Sequence, residues 1–217
     1  MTTFNAAVDD IRFALEAQAD YPSLAAAWND TASDMDLLDA MLGEAGRLAD
    51  EVMAPLNHHG DVEGTHLENG VVRVPSGFKE AYDTFVESGW NSLSFPEVYG
   101  GQGLPWSLSL AVSEMLEAAN MSLALNTLLT QGAIELLLHH GTDEQKQAYL
   151  PNMIAGAWSG TMNLTEPQAG TDLARIKTRA ELAGDGSYRI KGQKIFITYG
   201  DHEMVENIVH LVLARLP

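Results

Sequence analysis

The chain of 217 residues contains no cysteine, so disulfide bonds and thiolate chemistry are excluded. This absence fits a reducing compartment. The N-terminus also lacks a basic segment followed by a continuous apolar segment, so no signal peptide is expected. We therefore expect a cytoplasmic protein.

Basic residues are scarce: 12 Lys and Arg stand against 30 Asp and Glu, which gives a formal net charge of −18. This charge argues against nucleic acid and anionic membranes as partners, and it indicates a solubilising surface. Long apolar runs are also missing. The longest candidate, 121–138, is interrupted by Asn126, Thr130, Gln131, Gly132 and Glu135. We expect no membrane and no nucleic-acid partner.

Hydrophobic spacing divides the chain into two parts near residue 156. Before it, apolar residues recur at helical spacing. After it, the period falls to two, which is typical of strands. The sequence predicts an α+β protein, with an N-terminal helical bundle at 1–156 and an incomplete antiparallel β domain at 157–217. The predicted helices are 4–19, 24–28, 33–55, 76–89, 106–119, 121–140 and 142–156, and the predicted strands are 158–164, 178–182, 187–190, 194–198 and 208–214.

Local signals define several predicted helix ends. Ser33 and Asp36 form an acidic variant of a capping box, Ser76 is a cap, and Thr142 with Gln145 forms a capping box. A polar connection is predicted at 57–75. Its adjacent histidines, His58 and His59, point in different directions and have no third ligand at a suitable spacing, so no metal site is expected.

The last predicted strand, 208–214, is apolar and needs strand partners. The predicted β domain ends before such partners occur. We therefore expect that further sequence, or a second polypeptide, completes the fold. The loop 90–105 combines Gly and Pro with large apolar residues, which favours either a wall over a ligand cavity or a structural turn.

Two stretches of the β region could form one binding site. The stretch 161–172 is rich in hydroxyls and suits an anionic or heteroaromatic ligand. In the predicted strand 194–198, Phe196 and Thr198 lie on one face, so a ring and a donor lie side by side. A planar heteroaromatic cofactor needs both. A phenylalanine on a strand is also a common core residue, so the residues alone leave this open.

Four segments of the chain carry distinctive motifs: 96–103 (P-E-x-x-G-G-x-G), 141–151 (G-T-D-E-Q-K-x-x-Y-L-P), 164–172 (L-T-E-P-x-A-G-S/T-D) and 192–198 (G-Q-K-I-F-I-T). They resemble signatures of the acyl-CoA dehydrogenase family, in which the last motif reads N-G-x-K-x-W-I-T. The four motifs occur in the order typical of the family, and the resemblance extends over nearly the whole chain. The opening segment 4–15 and the segment 163–167 resemble the 3-(methylthio)propanoyl-CoA dehydrogenase-like subgroup.

The resemblance implies FAD as the cofactor. It places the strand end at 162–165 at the pyrimidine edge of the flavin. Thr171 would lie near the FAD pyrophosphate and the acyl-CoA substrate, Phe196 would replace a tryptophan against the flavin ring, and Thr198 would lie near flavin N5. The implied cofactor-binding residues are Met162, Asn163, Leu164, Thr165, Gly170, Thr171, Phe196, Ile197 and Thr198.

The resemblance also implies the reaction, α,β-dehydrogenation of an acyl-CoA thioester. A carboxylate removes the α-proton, the β-hydrogen passes to flavin N5, and an electron-transferring flavoprotein accepts the electrons. The family's catalytic glutamate lies in a C-terminal helical domain that this chain does not contain. We therefore assign no catalytic residue, and Glu166 matches no base position. A homo-oligomer is expected.

Three alternatives stay open. The first is an acyl-CoA oxidase of the same fold, and the second is a non-catalytic flavin- or acyl-binding subunit completed by a partner chain. The third is a helical interaction domain. This alternative does not explain the arrangement of Thr165, Thr171, Phe196 and Thr198.

Overall fold

A computed structural model describes residues 4–28 and 34–217. A helical region precedes a region of small sheets, which confirms the predicted α+β fold class. The helices are α1 (Val8–Phe13), α2 (Tyr21–Trp28), α3 (Met35–Leu48), α4 (Ala54–Glu63), α5 (Phe78–Glu87), α6 (Trp106–His140) and α7 (Asp143–Ile154). The strands are β1 (His66–Glu68), β2 (Val71–Arg73), β3 (Trp158–Asn163), β4 (Arg179–Leu182), β5 (Tyr188–Lys191) and β6 (Asn207–Val212).

Two helices start differently from the prediction. Ser33 lies outside the described residues, and α3 begins after Asp34, whose Oδ1 accepts a hydrogen bond from the Asp36 N–H at 2.9 Å. The predicted cap at Ser76 is wrong because α5 begins after Gly77, which has a left-handed φ of 87°. Ser76 instead donates its hydroxyl to Glu63 at 2.9 Å.

Pro55 does not end a helix as predicted. A π-helical turn, Ala49–Met53, connects α3 to α4, and Pro55 lies in the first turn of α4. The predicted polar connection therefore starts only after Glu63. His58 and His59 lie on a helix, and His59 Nε2 is 2.8 Å from Glu63.

The two helices predicted at 106–140 form one long element, α6, with a break at Asn120. There φ is −155° and ψ is 84°, and Asn120 Oδ1 accepts from the Leu123 N–H at 3.2 Å. The break predicted between the two helices is confirmed. By length and composition α6 could cross a membrane, but its buried residues pack against α3, α4, α7 and β3 in the protein core.

The capping box before α7 is confirmed in both directions. Gln145 N–H donates to Thr142 Oγ1 at 3.3 Å, and the Thr142 N–H donates to Gln145 Oε1 at 2.9 Å.

The main hydrophobic core lies between α3, α5 and the first half of α6. A second cluster joins the second half of α6 to α7, with Ile134, Leu150 and Met153 almost completely buried. Strand β3 packs directly on α6. At Gly160 an added Cβ would lie only 2.5 Å from the Ala133 Cβ, so this contact requires a glycine.

The β region departs from the prediction in its strand directions. β4 and β5 form an antiparallel hairpin as expected, but β3 and β6 are parallel, with Trp158 opposite Asn207 and Asn163 opposite Val212. The antiparallel prediction is wrong for this pair. A long connection that contains the β4–β5 hairpin separates the two strands, and such a crossover lets the chain return in the same direction.

The predicted strand at 194–198 is also wrong. Phe196 has a φ of 59° and Tyr199 one of 52°, both left-handed, so the backbone cannot stay extended there. Among residues 4–28 and 34–217, one backbone hydrogen bond ties this stretch to a neighbouring segment, from the Ile195 N–H to the Thr165 carbonyl at 3.0 Å. One such bond does not make a ladder.

Candidate functional site

The end of β3 holds a hydrogen-bonded set of polar side chains. The Thr161 hydroxyl is buried and donates to Asn163 Oδ1 at 2.7 Å. His210 Nδ1, on the adjacent β6, lies 2.7 Å from the same hydroxyl oxygen. The single hydroxyl proton of Thr161 is used in the bond to Asn163. The hydroxyl oxygen therefore accepts the second hydrogen bond, and His210 Nδ1 donates it. The network fixes the Asn163 carboxamide at the strand end.

A tight turn follows β3. Glu166 and Ala169 exchange backbone hydrogen bonds of 2.9 and 3.0 Å around Pro167 and Gln168. Gly170 and Thr171 come directly after it and are exposed. The turn thus presents to solvent Gly170 and also Thr171, which the sequence predicts to lie near the FAD pyrophosphate.

The carboxylate of Glu166 is buried at the base of this turn. Its Oε2 accepts from the Lys177 N–H at 2.7 Å, and its Oε1 accepts from Lys194 Nζ at 2.9 Å. Burial alone would raise the pKa of Glu166, but hydrogen bonds from the Lys177 and Thr178 N–H groups and from Lys194 Nζ outweigh it and hold that pKa below its usual range. A carboxylate held ionised in this way is a poor proton acceptor.

The structure brings the two predicted halves of the site together. The Ile195 N–H bonds the Thr165 carbonyl, and Lys194 Nζ donates to the Leu164 carbonyl at 2.9 Å. The stretch after β3 therefore lies beside the stretch that leads to Phe196. The Phe196 side chain itself is 88% exposed, whereas the sequence placed it on a strand face beside Thr198.

Ile197 and Thr198 line a cavity of about 840 Å³. Its other walls include Phe78 at the start of α5 and Ser122 and Leu125 on α6. Met162–Thr165 are not part of this lining. Of the two predicted parts of the site, only the one at Ile197 and Thr198 borders this cavity, together with residues of the helical region.

A buried histidine on the cavity wall was not predicted from the sequence. His202 Nδ1 accepts from the Met204 N–H at 3.3 Å, so Nε2 carries the proton toward Ser159 Oγ, 3.2 Å away. Burial lowers the pKa of His202, although Glu203 and Asp201 oppose the shift. The ring of Tyr199 packs edge-on against it at 5.3 Å.

Tyr199 anchors the same wall to α6. Its hydroxyl donates to the Ser122 carbonyl at 2.7 Å, and burial raises its pKa. In the sequence, residues 199–202 follow the predicted strand as a short polar stretch, a pattern too common to indicate a site.

The residues fit a flavin in two respects. Within 4–28 and 34–217, the side chains of Thr165, Thr171 and Thr198 make no hydrogen bond, so their hydroxyls can serve a ligand. Phe196 and Leu164 expose apolar surface beside them, and such surface suits a planar ring. Donors and an apolar platform are the two requirements of an isoalloxazine.

Comparison with known proteins identifies the family. Residues 36–157 match the family profile of the acyl-CoA dehydrogenase N-terminal domain. The chain belongs to the acyl-CoA dehydrogenase family.

Curated relatives agree over longer stretches. The chain is 51% identical over 215 residues to the 3-methylmercaptopropionyl-CoA dehydrogenase of Ruegeria pomeroyi, which covers 99% of this chain and 37% of that protein. It is 36% identical over 215 residues to a butyryl-CoA dehydrogenase of Syntrophomonas wolfei, covering 96% of this chain and 35% of that protein. The chain therefore spans just over a third of the length of these relatives.

Solved structures share the fold. An acyl-CoA dehydrogenase of Bacillus anthracis complexed with FAD superposes with a TM-score of 0.67 at 25% identity, over 83% of this chain and 29% of that chain. The butyryl-CoA dehydrogenase of Megasphaera elsdenii superposes with a TM-score of 0.65 at 28% identity, over 76% of this chain and 41% of that chain.

Proposed function

We propose that this chain supplies the helical N-terminal part and one side of the FAD site of an enzyme that dehydrogenates acyl-CoA thioesters between Cα and Cβ. The observation that carries the proposal is the contact between Ile195 and Thr165, because it joins two segments whose hydroxyls are available to a ligand. Family membership supports the same function.

The predicted cofactor-binding residues other than Ile197 each have a role in this proposal. The strand end Met162–Thr165 would bind the pyrimidine edge of the flavin, and Thr198 would donate a hydrogen bond near N5. Phe196 would cover the ring, which accounts for its 88% exposure. Gly170 and Thr171 would approach the pyrophosphate and the acyl-CoA. When bound, FAD supplies a hydride acceptor.

We infer that the proton chemistry uses a base outside the described residues. Glu166 is held ionised by its donors and lies beneath the turn. We propose that a carboxylate elsewhere in the complete gene product removes the α-proton.

The Ruegeria relative is named for a thioether acyl-CoA, so we propose 3-(methylthio)propanoyl-CoA as the first substrate to test. An electron-transferring flavoprotein as acceptor, a homo-oligomeric state and a cytoplasmic location belong to the same proposal.

Anaerobic titration of the complete gene product tests this function. We expect the purified protein to show flavin absorbance and to lose it on addition of 3-(methylthio)propanoyl-CoA, more slowly with butyryl-CoA. A protein without flavin, or a flavin that no acyl-CoA bleaches, would contradict the proposal and favour a non-catalytic subunit. Oxygen consumption without an added acceptor would identify an oxidase of the same fold.

A further inference from the structure

Three segments of irregular backbone meet at the carboxylate of Glu166. They are the turn 164–169, the stretch 176–178 before β4, and the stretch 192–195 after β5. These segments share no strand ladder. One backbone hydrogen bond, from the Ile195 N–H to the Thr165 carbonyl, joins the first segment to the third, and side chains supply the further links.

Glu166 makes hydrogen bonds to all three segments. Oε2 accepts from Gln168 Nε2 at 2.5 Å and from the Lys177 N–H at 2.7 Å, while Oε1 accepts from the Thr178 N–H at 3.0 Å and from Lys194 Nζ at 2.9 Å. Each oxygen thus has two donors. A carboxylate accepts about four hydrogen bonds, so Glu166 is fully satisfied.

The contact with Lys194 is a buried ion pair. The side chain of Glu166 is 2% exposed and that of Lys194 is 9% exposed. Lys194 Nζ also donates to the Leu164 carbonyl at 2.9 Å. Such a pair contributes little net stability compared with apolar residues, and it is better suited to fixing one geometry.

The pair lies between the two halves of the proposed cofactor site. Glu166 directly follows Thr165, and Lys194 precedes Phe196 by two residues. We propose that Glu166 and Lys194 are positioning residues that fix the spacing between Thr165 and the segment Phe196–Thr198, and thereby set the affinity for FAD. This inference rests on the proposed function.

Substitution of each partner tests the pair in the complete gene product. In apoprotein variants E166Q and K194M, we expect the Kd for FAD, measured by quenching of flavin fluorescence, to rise about tenfold or more, as when other groups that orient ligand-binding residues are removed. K194R keeps the charge and a donor, so it should recover part of the affinity. The exposed pair Lys79–Asp83, at 2.7 Å on α5, provides the control K79M, which should bind FAD like the wild type.

Hydrogen exchange adds a readout that needs no cofactor. If the pair fixes the spacing, the Ile195 amide, which bonds the Thr165 carbonyl, should exchange faster in E166Q and K194M than in K79M, even where the melting temperature is unchanged. Wild-type FAD affinity in folded E166Q and K194M would overturn the inference. If a single variant does not fold, the double variant E166Q/K194M, which leaves no buried charge unpaired, takes its place with the same expectation.

The proposed function and this inference fail in different ways. A wild-type protein that binds no FAD contradicts the proposed function. A wild-type protein that binds FAD, together with folded variants that bind it equally well, contradicts only the role of the pair.

Discussion

The side-chain amide of Asn120 donates a hydrogen bond to the Met53 carbonyl at 3.2 Å, deep in the core. Asn120 marks the break in α6, and Met53 ends the π-helical turn between α3 and α4. Two helix irregularities thus meet at one buried contact. Helix breaks and π-helical turns leave backbone groups without their usual partners, and Asn120 satisfies groups on both sides.

Asn120→Ala should therefore destabilise the protein. It removes the donor to Met53 and the cap on the Leu123 N–H, and we expect a loss of about 2 kcal/mol in the free energy of unfolding. Urea unfolding followed by circular dichroism measures it. Asn152→Ala, on the exposed surface of α7, should change the free energy by less than about 0.5 kcal/mol. Equal effects of the two substitutions would contradict the role given to Asn120.

The tight contact between β3 and α6 gives a second prediction. Gly160→Ala places a Cβ 2.5 Å from the Ala133 Cβ and 2.8 Å from the Met153 Cε. Overpacking of this kind should cost about 1–3 kcal/mol. The control is Gly43→Ala on α3, where an added Cβ meets nothing within 4 Å and should stabilise the helix by about 0.5–1 kcal/mol. Opposite signs in urea unfolding are the expected result.

His202 should make stability depend on pH. Burial lowers its pKa in the folded protein, so the unfolded chain binds the proton more readily. Its contribution is complete above the ordinary histidine pKa of about 6.5 and is lost as the pH falls below that value toward the folded pKa. The difference in unfolding free energy between wild type and His202→Gln should be smaller at about pH 5.5 than at pH 7.5. Parallel pH profiles of the two proteins would rule out this effect.

The hydroxyl of Tyr199 should stabilise the cavity wall. Tyr199→Phe removes its hydrogen bond to the Ser122 carbonyl and should cost about 1 kcal/mol. Tyr188→Phe, on the exposed strand β5, is the matched control and should cost almost nothing. Thermal unfolding of both variants measures the difference, and similar midpoints would show that the Tyr199 bond contributes nothing.

Thr198 tests the proposed site directly. In the complete gene product, Thr198→Val should slow flavin reduction by acyl-CoA roughly fivefold to tenfold, because it removes one hydrogen-bond donor near the proposed N5 position. The melting temperature should stay unchanged. Thr84→Val, on the exposed face of α5, should leave the rate at the wild-type value. An unaltered rate in Thr198→Val argues against its placement beside the flavin.

The sequence located the helices well where hydrophobic spacing and caps agreed. The box of Thr142 and Gln145 and the break near Asn120 both depend on neighbouring residues, which a sequence shows directly. The prediction at Pro55 was wrong because a π-helical turn can carry a helix into a proline at the first turn of the next. No local sequence pattern indicates such a π-helical turn.

The β region was harder to predict because strand pairing is not local. Alternation gave the positions of β3 and β6 but not their parallel direction, which depends on the path of the chain between them. The stretch around Phe196 has strand composition, but its left-handed φ values break the extended backbone. In the part of the chain that the structure describes, a single backbone hydrogen bond, to Thr165, pairs it with another segment.

The sequence by itself determined the helical N-terminal region, the change of period near Trp158 and the family resemblance, because each is written in short motifs and local spacing. Tertiary structure alone decided that Glu166 meets Lys194, that Asn120 meets Met53 and that His202 is buried against Ser159. Each of these contacts joins residues far apart along the chain, and their burial makes the hydrogen bonds obligatory.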